Sequence, residues 1–397
     1  MAFHSTVVAS LLRQLWARRS DFGSSLFWRK AAGIGGSLVQ HWAWPDTLFR
    51  KSLTVFEERP WDLHIETTNV CNANCVFCAY QYMTRPRKMM AMDVYRTALQ
   101  QYVELGGGDL SLEVVVGEPC LDPTFLEKIR LARAQAAICN IRTITNGIAI
   151  DRIGADALVA SGLNKLFIST AGFDEASYTE IYRVKSYQKM RDNVFALLSA
   201  NQRRNTPLEI TIGFRTNRRL ESVQSDPDFA EMMKFKPKTD FAYSFDDWSG
   251  RIDFTTLPKG FLRREPPPFE EPCIWLYNGP VVFPNGDVGL CGCRDVDAKS
   301  ELIVGNIAEN HLGEIWRSPA VARLRERFKR GDYPDICRSC TMYRNLDQLR
   351  SMEGWRRTRL TKKRARGLSV SSGSGRAPSS EKAVGRTSHV PSCTRPR

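Results

Sequence analysis

Eleven cysteines in 397 residues, at positions 71, 75, 78, 120, 139, 273, 291, 293, 337, 340 and 393, constrain this chain more than any other feature. Most of them recur at tight spacings. A chain this long buries a core that needs no disulfide staples. A secretory signal is not expected, because Arg13, Arg18 and Arg19 follow the first apolar stretch instead of preceding it. Grouped thiols in such a chain point to metal or cluster ligation in a reducing, cytoplasmic setting. No window approaches the ~18 apolar residues of a membrane-spanning helix.

The net charge of +14 is unevenly placed. Residues 356–397 hold twelve Lys/Arg and one acid, Glu381, a net +11 that leaves the body nearly neutral. This Ser-, Gly- and Arg-rich tail is expected to be disordered, since it lacks the apolar surface to offset its ordering entropy. At the other end, Val8, Leu11, Leu12 and Leu15 give residues 1–60 a helical extension with one apolar face.

Between 61 and 250 apolar strand-like runs alternate with helical ones. Strands are expected at 63–67, 110–116, 140–144, 165–169, 208–214 and 241–245, with helices at 93–105, 123–137, 151–161, 174–182, 187–202 and 226–234. Six strands separated by helices imply a parallel sheet, doubly wound or curled into a partial barrel. In either case the chemistry belongs at the carboxyl ends of the strands. The first cysteine group, Gly117-Glu118, Asn146-Gly147 and Ser169 all fall there.

Cys71, Cys75 and Cys78 have the spacing C-x3-C-x2-C, with Phe77 directly before the third thiol. Three thiolates on one loop can hold three irons of a [4Fe–4S] cluster and leave the fourth open; a Cys3His zinc site is the rival reading. His64, the only nearby histidine, falls inside the first strand. The loop resembles the signature of the radical S-adenosylmethionine (SAM) superfamily. Val116-Gly117-Glu118-Pro119 resembles the family's G-G-E-P segment, with Val116 in place of the first glycine, and Thr145-Asn146-Gly147 resembles its T-N-G strand end. Phe167-Ile168-Ser169-Thr170 resembles the strand that contacts the SAM ribose, and Arg183 lies near the usual carboxylate-pairing arginine. The resemblance implies an α/β fold with a partial (β/α)6 TIM-like barrel, a [4Fe–4S] cluster on Cys71, Cys75 and Cys78, and SAM held by Phe77, Gly117, Glu118, Asn146, Ser169 and Arg183.

Residues 266–342 read as a second compact unit, α+β in class, entered through Pro266-Pro267-Pro268. Pro284-Asn285-Gly286-Asp287 signals a hairpin between Cys273 and Cys291, and Ser318-Pro319 opens a helix that Gly331 closes. A hairpin pair plus Cys337-Arg338-Ser339-Cys340 is a generic four-cysteine site for zinc or iron–sulfur. The unit resembles the SPASM domain, which implies one auxiliary [4Fe–4S] cluster on Cys273, Cys291, Cys337 and Cys340, with Cys293 as an alternative to Cys291 or an extra ligand.

The family resemblance implies reductive cleavage of SAM to a 5′-deoxyadenosyl radical that abstracts hydrogen from a substrate, with a flavodoxin- or ferredoxin-type reductant. The substrate would be a peptide or a small molecule of the sugar or aminoglycoside kind. Cys120 could donate a proton or hydrogen atom, or simply be a buried thiol. Asp246 and Asp247, after the sixth strand, could serve as base or acceptor, or cap a loop. Arg215, after the fifth, could bind a substrate anion or make a surface ion pair. The competing reading is a zinc-stabilised nucleic-acid-binding protein with a basic tail. It does not explain the ordered strand-end residues, so nucleic acid is not expected as a partner.

Overall fold

In a computed structural model of the chain, the described residues are 53–112, 115–205, 207–242, 244–292 and 294–346. The amphipathic stretch near the N-terminus, Cys293 and the basic tail at 356–397 lie outside them. The elements run β1 (Asp62–Ile65), α1 (Met92–Glu104), β2 (Gly108–Ser111), α2 (Phe125–Arg133), β3 (Ile138–Thr145), α3 (Ile150–Ile153), α4 (Ala155–Ala160), β4 (Lys165–Thr170), α5 (Glu175–Tyr182) and α6 (Tyr187–Gln202). They continue with β5 (Glu209–Arg215), α7 (Leu220–Gln224), α8 (Pro227–Met233), β6 (Lys238–Ala242), β7 (Ser244–Phe245) and β8 (Leu262–Arg263). The last group is α9 (Trp275–Asn278), β9 (Val281–Val282), β10 (Asp287–Gly289), β11 (Ile303–Asn306), α10 (Leu312–Trp316), α11 (Pro319–Lys329) and α12 (Asp335–Arg338).

Strands β1 to β6 lie side by side in sequence order, all parallel, as the alternating pattern predicts. The helices between them bury one stripe each. In α1 that stripe is Tyr95, Ala98, Leu99 and Tyr102, and in α6 it includes Met190, Val194, Leu197 and Leu198. The expected helix at 151–161 is broken, because Gly154 takes φ +83° and separates α3 from α4. The expected strand at 110–116 stops at Ser111; Val115 and Val116 leave the ladder and pack with Trp248, Val281 and Phe283 instead.

Register places His64, Ser111, Arg142, Lys165 and Glu209 in one row across the sheet, and Ile144, Phe167, Thr211 and Lys238 in the next. Side chains alternate in a strand, so these rows share one face. That face is not filled by helices: Ile144 is 37% exposed although Thr143 and Thr145 on either side of it are buried. The half-barrel therefore presents an open, largely polar concavity.

The strands of the second unit continue this sheet. Strand β9 pairs in parallel with β1, His64 opposite Val281 and Ile65 opposite Val282, and the β9–β10–β11 meander extends the sheet to nine strands. The predicted turn is present, with Gly286 at φ +90°. A second apolar cluster gathers Phe56, Leu276, Tyr277, Trp316, Phe328 and Tyr343 around the C-terminal cysteines. Trp316 Nε1 donates to the carbonyl of Phe56 (2.8 Å), which ties residues 53–58, a helical stretch, to this unit. Buried pairs add to the joint: Arg85 forks onto Glu66 and donates through Nε to the Val296 carbonyl at 2.6 Å.

Gly279 is the tightest point of that joint, since a Cβ there would lie 1.6 Å from the carbonyl oxygen of Asp62. Neither backbone can yield without breaking the β1–β9 pairing. Gly279→Ala is expected to destabilise the protein by about 1–3 kcal/mol or more, read as a lower midpoint in thermal or urea unfolding. An unchanged midpoint would show that the seam between the units is adjustable.

Candidate active site

The thiol loop leaves β1 and is pinned from three sides. Helix α5 ends with Arg183 in the left-handed conformation (φ 53°), so its last carbonyls have no partner within the helix. The loop satisfies them: Asn74 N–H donates to Tyr182 O (3.1 Å) and Val76 N–H to Ile181 O (2.9 Å). Tyr80 folds back, its hydroxyl accepting from Cys71 N–H (3.2 Å) and donating to the Cys71 carbonyl (3.3 Å).

The third side is the Gly117-Glu118-Pro119 turn. Gly117 sits at φ +116°, and a Cβ there would come within 2.4 Å of the Thr68 carbonyl oxygen. Its glycine is required by the chain's own approach to the loop. Glu118 N–H then donates to Val70 O (2.8 Å). The Glu118 carboxylate is fully buried and accepts from Cys120 N–H (3.0 Å), Thr145 Oγ1 (2.6 Å) and Asn146 N–H (2.7 Å). Burial raises its pKa, and these three donors oppose the rise. This carboxylate, expected to meet an ammonium group, also clasps its own turn to the end of β3.

Asn146 completes the clasp. Its Nδ2 donates to Asn72 Oδ1 (2.8 Å) and points at Cys71 Sγ (3.8 Å). Ser169 Oγ lies 2.9 Å from the Tyr182 hydroxyl, and Tyr182 stacks on Tyr178 and meets Phe77 edge-on at 5.8 Å. Arg183 reaches across to Gln81 Oε1 (3.1 Å). A cavity of about 430 Å³ opens beside Cys71, lined by Asn72, Asn74, Tyr80, Gln81 and Arg87. Thus Cys71, Cys75, Cys78, Phe77, Asn146, Ser169 and Arg183 are brought to one mouth, with Gly117 and Glu118 as its frame.

Burial pushes the Cys71 thiol up to about 12 and that of Cys78 to about 11, and Cys75 is raised well above its usual value; Glu118 adds to the rise at Cys71. Three buried thiols within electrostatic reach of one another become thiolates only when a cation compensates them. Cys273, Cys291, Cys337 and Cys340 likewise act on one another electrostatically, and burial raises Cys273 to about 11 and lifts Cys337 and Cys340 as well. The structure thereby places Cys291 in the second group. Among the described residues no three His, Cys, Asp or Glu side chains form a chelate for a single ion. A cluster of irons and sulfides occupies the space between its thiolates and needs a wider spacing than the roughly 3.8 Å of tetrahedral zinc. Both thiol groups offer the donor type that such a cluster takes.

Three expected catalytic residues are engaged by other groups. Cys120 is buried in the main core, 3.5 Å from Thr145 Oγ1, so it faces the packing behind the turn and not the mouth. Asp246 accepts from Trp248 N–H (2.8 Å) and Thr341 Oγ1 (2.5 Å) and pairs with buried Arg294 at 2.5 Å. Asp247 pairs with Arg263 at 2.6 Å. Both carboxylates are counterions. His64, on the inner face, lies 3.4 Å from Asp62 and edge-on to Trp275, as a strand side chain. Sequence reasoning missed Tyr80, Tyr182, Trp248 and Arg294. Trp248 donates through Nε1 to the Phe77 carbonyl (2.9 Å) and lies under the Arg294 guanidinium at 4.4 Å. The adjacency of Arg294 to a cysteine pair and of Tyr182 to Arg183 were the only signals for them.

Residues 65–223 match the family model of the radical SAM superfamily, and residues 273–341 match that of an iron–sulfur cluster-binding domain, SPASM. A GTP 3′,8-cyclase of Chlorobaculum tepidum is 30% identical over 147 residues, 36% of this chain and 44% of the cyclase, so the chain spans less than half of that relative. A PqqA peptide cyclase of Gluconobacter oxydans is 24% identical over 312 residues, covering 71% of this chain and 82% of the cyclase. The structure of Streptococcus suis SuiB bound to the precursor peptide SuiA superposes with a TM-score of 0.51 at 13% identity, over 75% of this chain and 72% of that one, a likeness of fold. SAM and iron–sulfur clusters are the cofactors that accompany these two domains. The chain belongs to the radical SAM superfamily and carries a C-terminal SPASM domain.

Proposed function

We propose that this protein uses a [4Fe–4S] cluster on Cys71, Cys75 and Cys78, with SAM, to modify a peptide by hydrogen abstraction. The observation that carries the reading is the rigid presentation of three thiols at the carboxyl mouth of an open half-barrel, clasped by Glu118 and Asn146. When bound, the cluster supplies the electron that splits SAM into methionine and a 5′-deoxyadenosyl radical. The chain's own residues do the rest. Asn146 orients Cys71, the Ser169–Tyr182 pair and Phe77 form the wall against which a ribose would lie, and the Gly117 turn holds the loop at a fixed height. Arg183, at the rim, offers a fork to a carboxylate. Cys273, Cys291, Cys337 and Cys340 would hold an auxiliary cluster whose role is electron transfer.

A peptide is favoured over a sugar-like molecule because a relative matched over 71% of this chain is a peptide cyclase. The zinc-stabilised, nucleic-acid-binding alternative loses its support with the match to an iron–sulfur domain.

Anaerobic reconstitution should give about eight irons per chain, and SAM with dithionite should yield 5′-deoxyadenosine. Cys71→Ala is expected to abolish that product. Cys340→Ala should lower iron to about four while cleavage persists. Bound zinc without cleavage would sink the enzyme reading. A ribosomally made peptide should raise deoxyadenosine formation above the uncoupled rate; stimulation by sugar alcohols alone would overturn the peptide reading. The clasp itself is testable in the apoprotein. Glu118→Gln turns an acceptor into a donor facing buried N–H groups, and should cost about 1–3 kcal/mol in denaturant unfolding.

A further inference from the structure

The rim of the half-barrel holds more guanidinium groups than its carboxylates can serve. Arg263 is taken by Asp247 and Arg294 by Asp246. Asp246 also accepts from Trp248 N–H and Thr341 Oγ1, so its lone pairs are in use. Arg264, the residue after β8, is left over. It is partly buried, its Nη2 donates only to the Ser244 carbonyl (3.2 Å), and its Nη1 abuts the Met342 sulfur. Among the described residues no carboxylate forms an ion pair with it. Burial, together with the like charges of Arg294, Arg215 and Arg344, holds its pKa below the usual guanidinium value, and Asp246 is the opposing charge. A cation in such surroundings gains when an anion arrives.

Its position is equally specific. Arg264 N–H donates to Phe245 O (2.7 Å), and Phe245 packs on Phe77 of the thiol loop at 5.4 Å. From the other side Arg215, at the end of β5, lies over the Phe167 ring at 5.0 Å, on the inner face. Its charge reaches the Tyr182 phenol that bonds Ser169. Arg215 has a partly exposed partner, Asp240 at 3.2 Å, which an incoming anion can displace.

We propose that Arg264 and Arg215 form an anion-binding subsite at the barrel mouth that takes a carboxylate or phosphate group of the substrate. This rests on the radical SAM reading for the word substrate, but not for the site itself. Two guanidinium forks within electrostatic reach of one another suit a planar or tetrahedral oxyanion through charge-assisted bonds. Such a grip would fix the substrate's reacting bond relative to the thiol loop.

The test is arginine mapping with phenylglyoxal on the full-length protein, read by peptide mass spectrometry. Glutarate stands in for a carboxylate and inorganic phosphate for a phosphate. One or both should slow modification of Arg264 and Arg215 at least fivefold, while exposed Arg338 reacts unchanged; the protecting anion names the group. Arg264→Gln should abolish protection at Arg215, and Arg264→Lys should restore part of it. No protection by either anion, or equal slowing at Arg338, overturns the subsite, and this wild-type result stands even if a variant fails to fold. SAM cleavage by the wild-type protein, measured alongside, separates the two readings. Cleavage without protection removes the subsite alone, and protection without cleavage leaves a subsite in a protein that is not the enzyme proposed.

Discussion

A carboxylate shut away from water holds this site together. Glu118 accepts three hydrogen bonds from two strand ends that otherwise share no ladder at that height. Removing an acceptor from so dry a place leaves donors unsatisfied, which costs more than the bonds themselves contribute. Through Asn146 the same carboxylate reaches Cys71, and the backbone N–H of Glu118 donates to the Val70 carbonyl. The thiol loop thus inherits the rigidity of the sheet.

The second unit depends on the first in a comparable way. Its meander is a continuation of the sheet, and the Glu66–Arg85 and Asp246–Arg294 pairs are desolvated on both sides. Buried pairs of this kind add little net stability but penalise any arrangement that separates their members. They fix how the two thiol groups face one another. Trp248 is the physical spacer, bonded to the Phe77 carbonyl on one side and covered by Arg294 on the other. The backbone N–H of Arg294 continues to Cys291 Sγ at 3.3 Å.

Much of the fold was legible because periodicity is local. Helix α6 matches its apolar spacing from Tyr187 to Gln202, and β4 ends within one residue of its expected bound. The ordered strand-end residues were legible too, since each follows a recognisable strand. What stayed hidden depended on partners distant in sequence. A valine run such as 114–116 reads as strand, yet its end at Val115 and Val116 serves as packing for Phe283. A glutamate after glycine gives no sign of the neighbouring strand end that it clasps. Asp246 resembled a base because Arg294, 48 residues on, carries no mark of its pairing.

The parallel pairing of β1 with β9 has a consequence for how the chain is made. The first strand of the barrel stays half-paired until Val281 and Val282 emerge, more than 200 residues later in synthesis. Contacts so far apart in sequence form late and slowly. Until then β1 is an open edge of the kind that invites pairing with another chain. Completion of the site therefore waits on a distant segment: the strand that launches the thiol loop is sealed only when the start of the cysteine-bearing second unit has arrived.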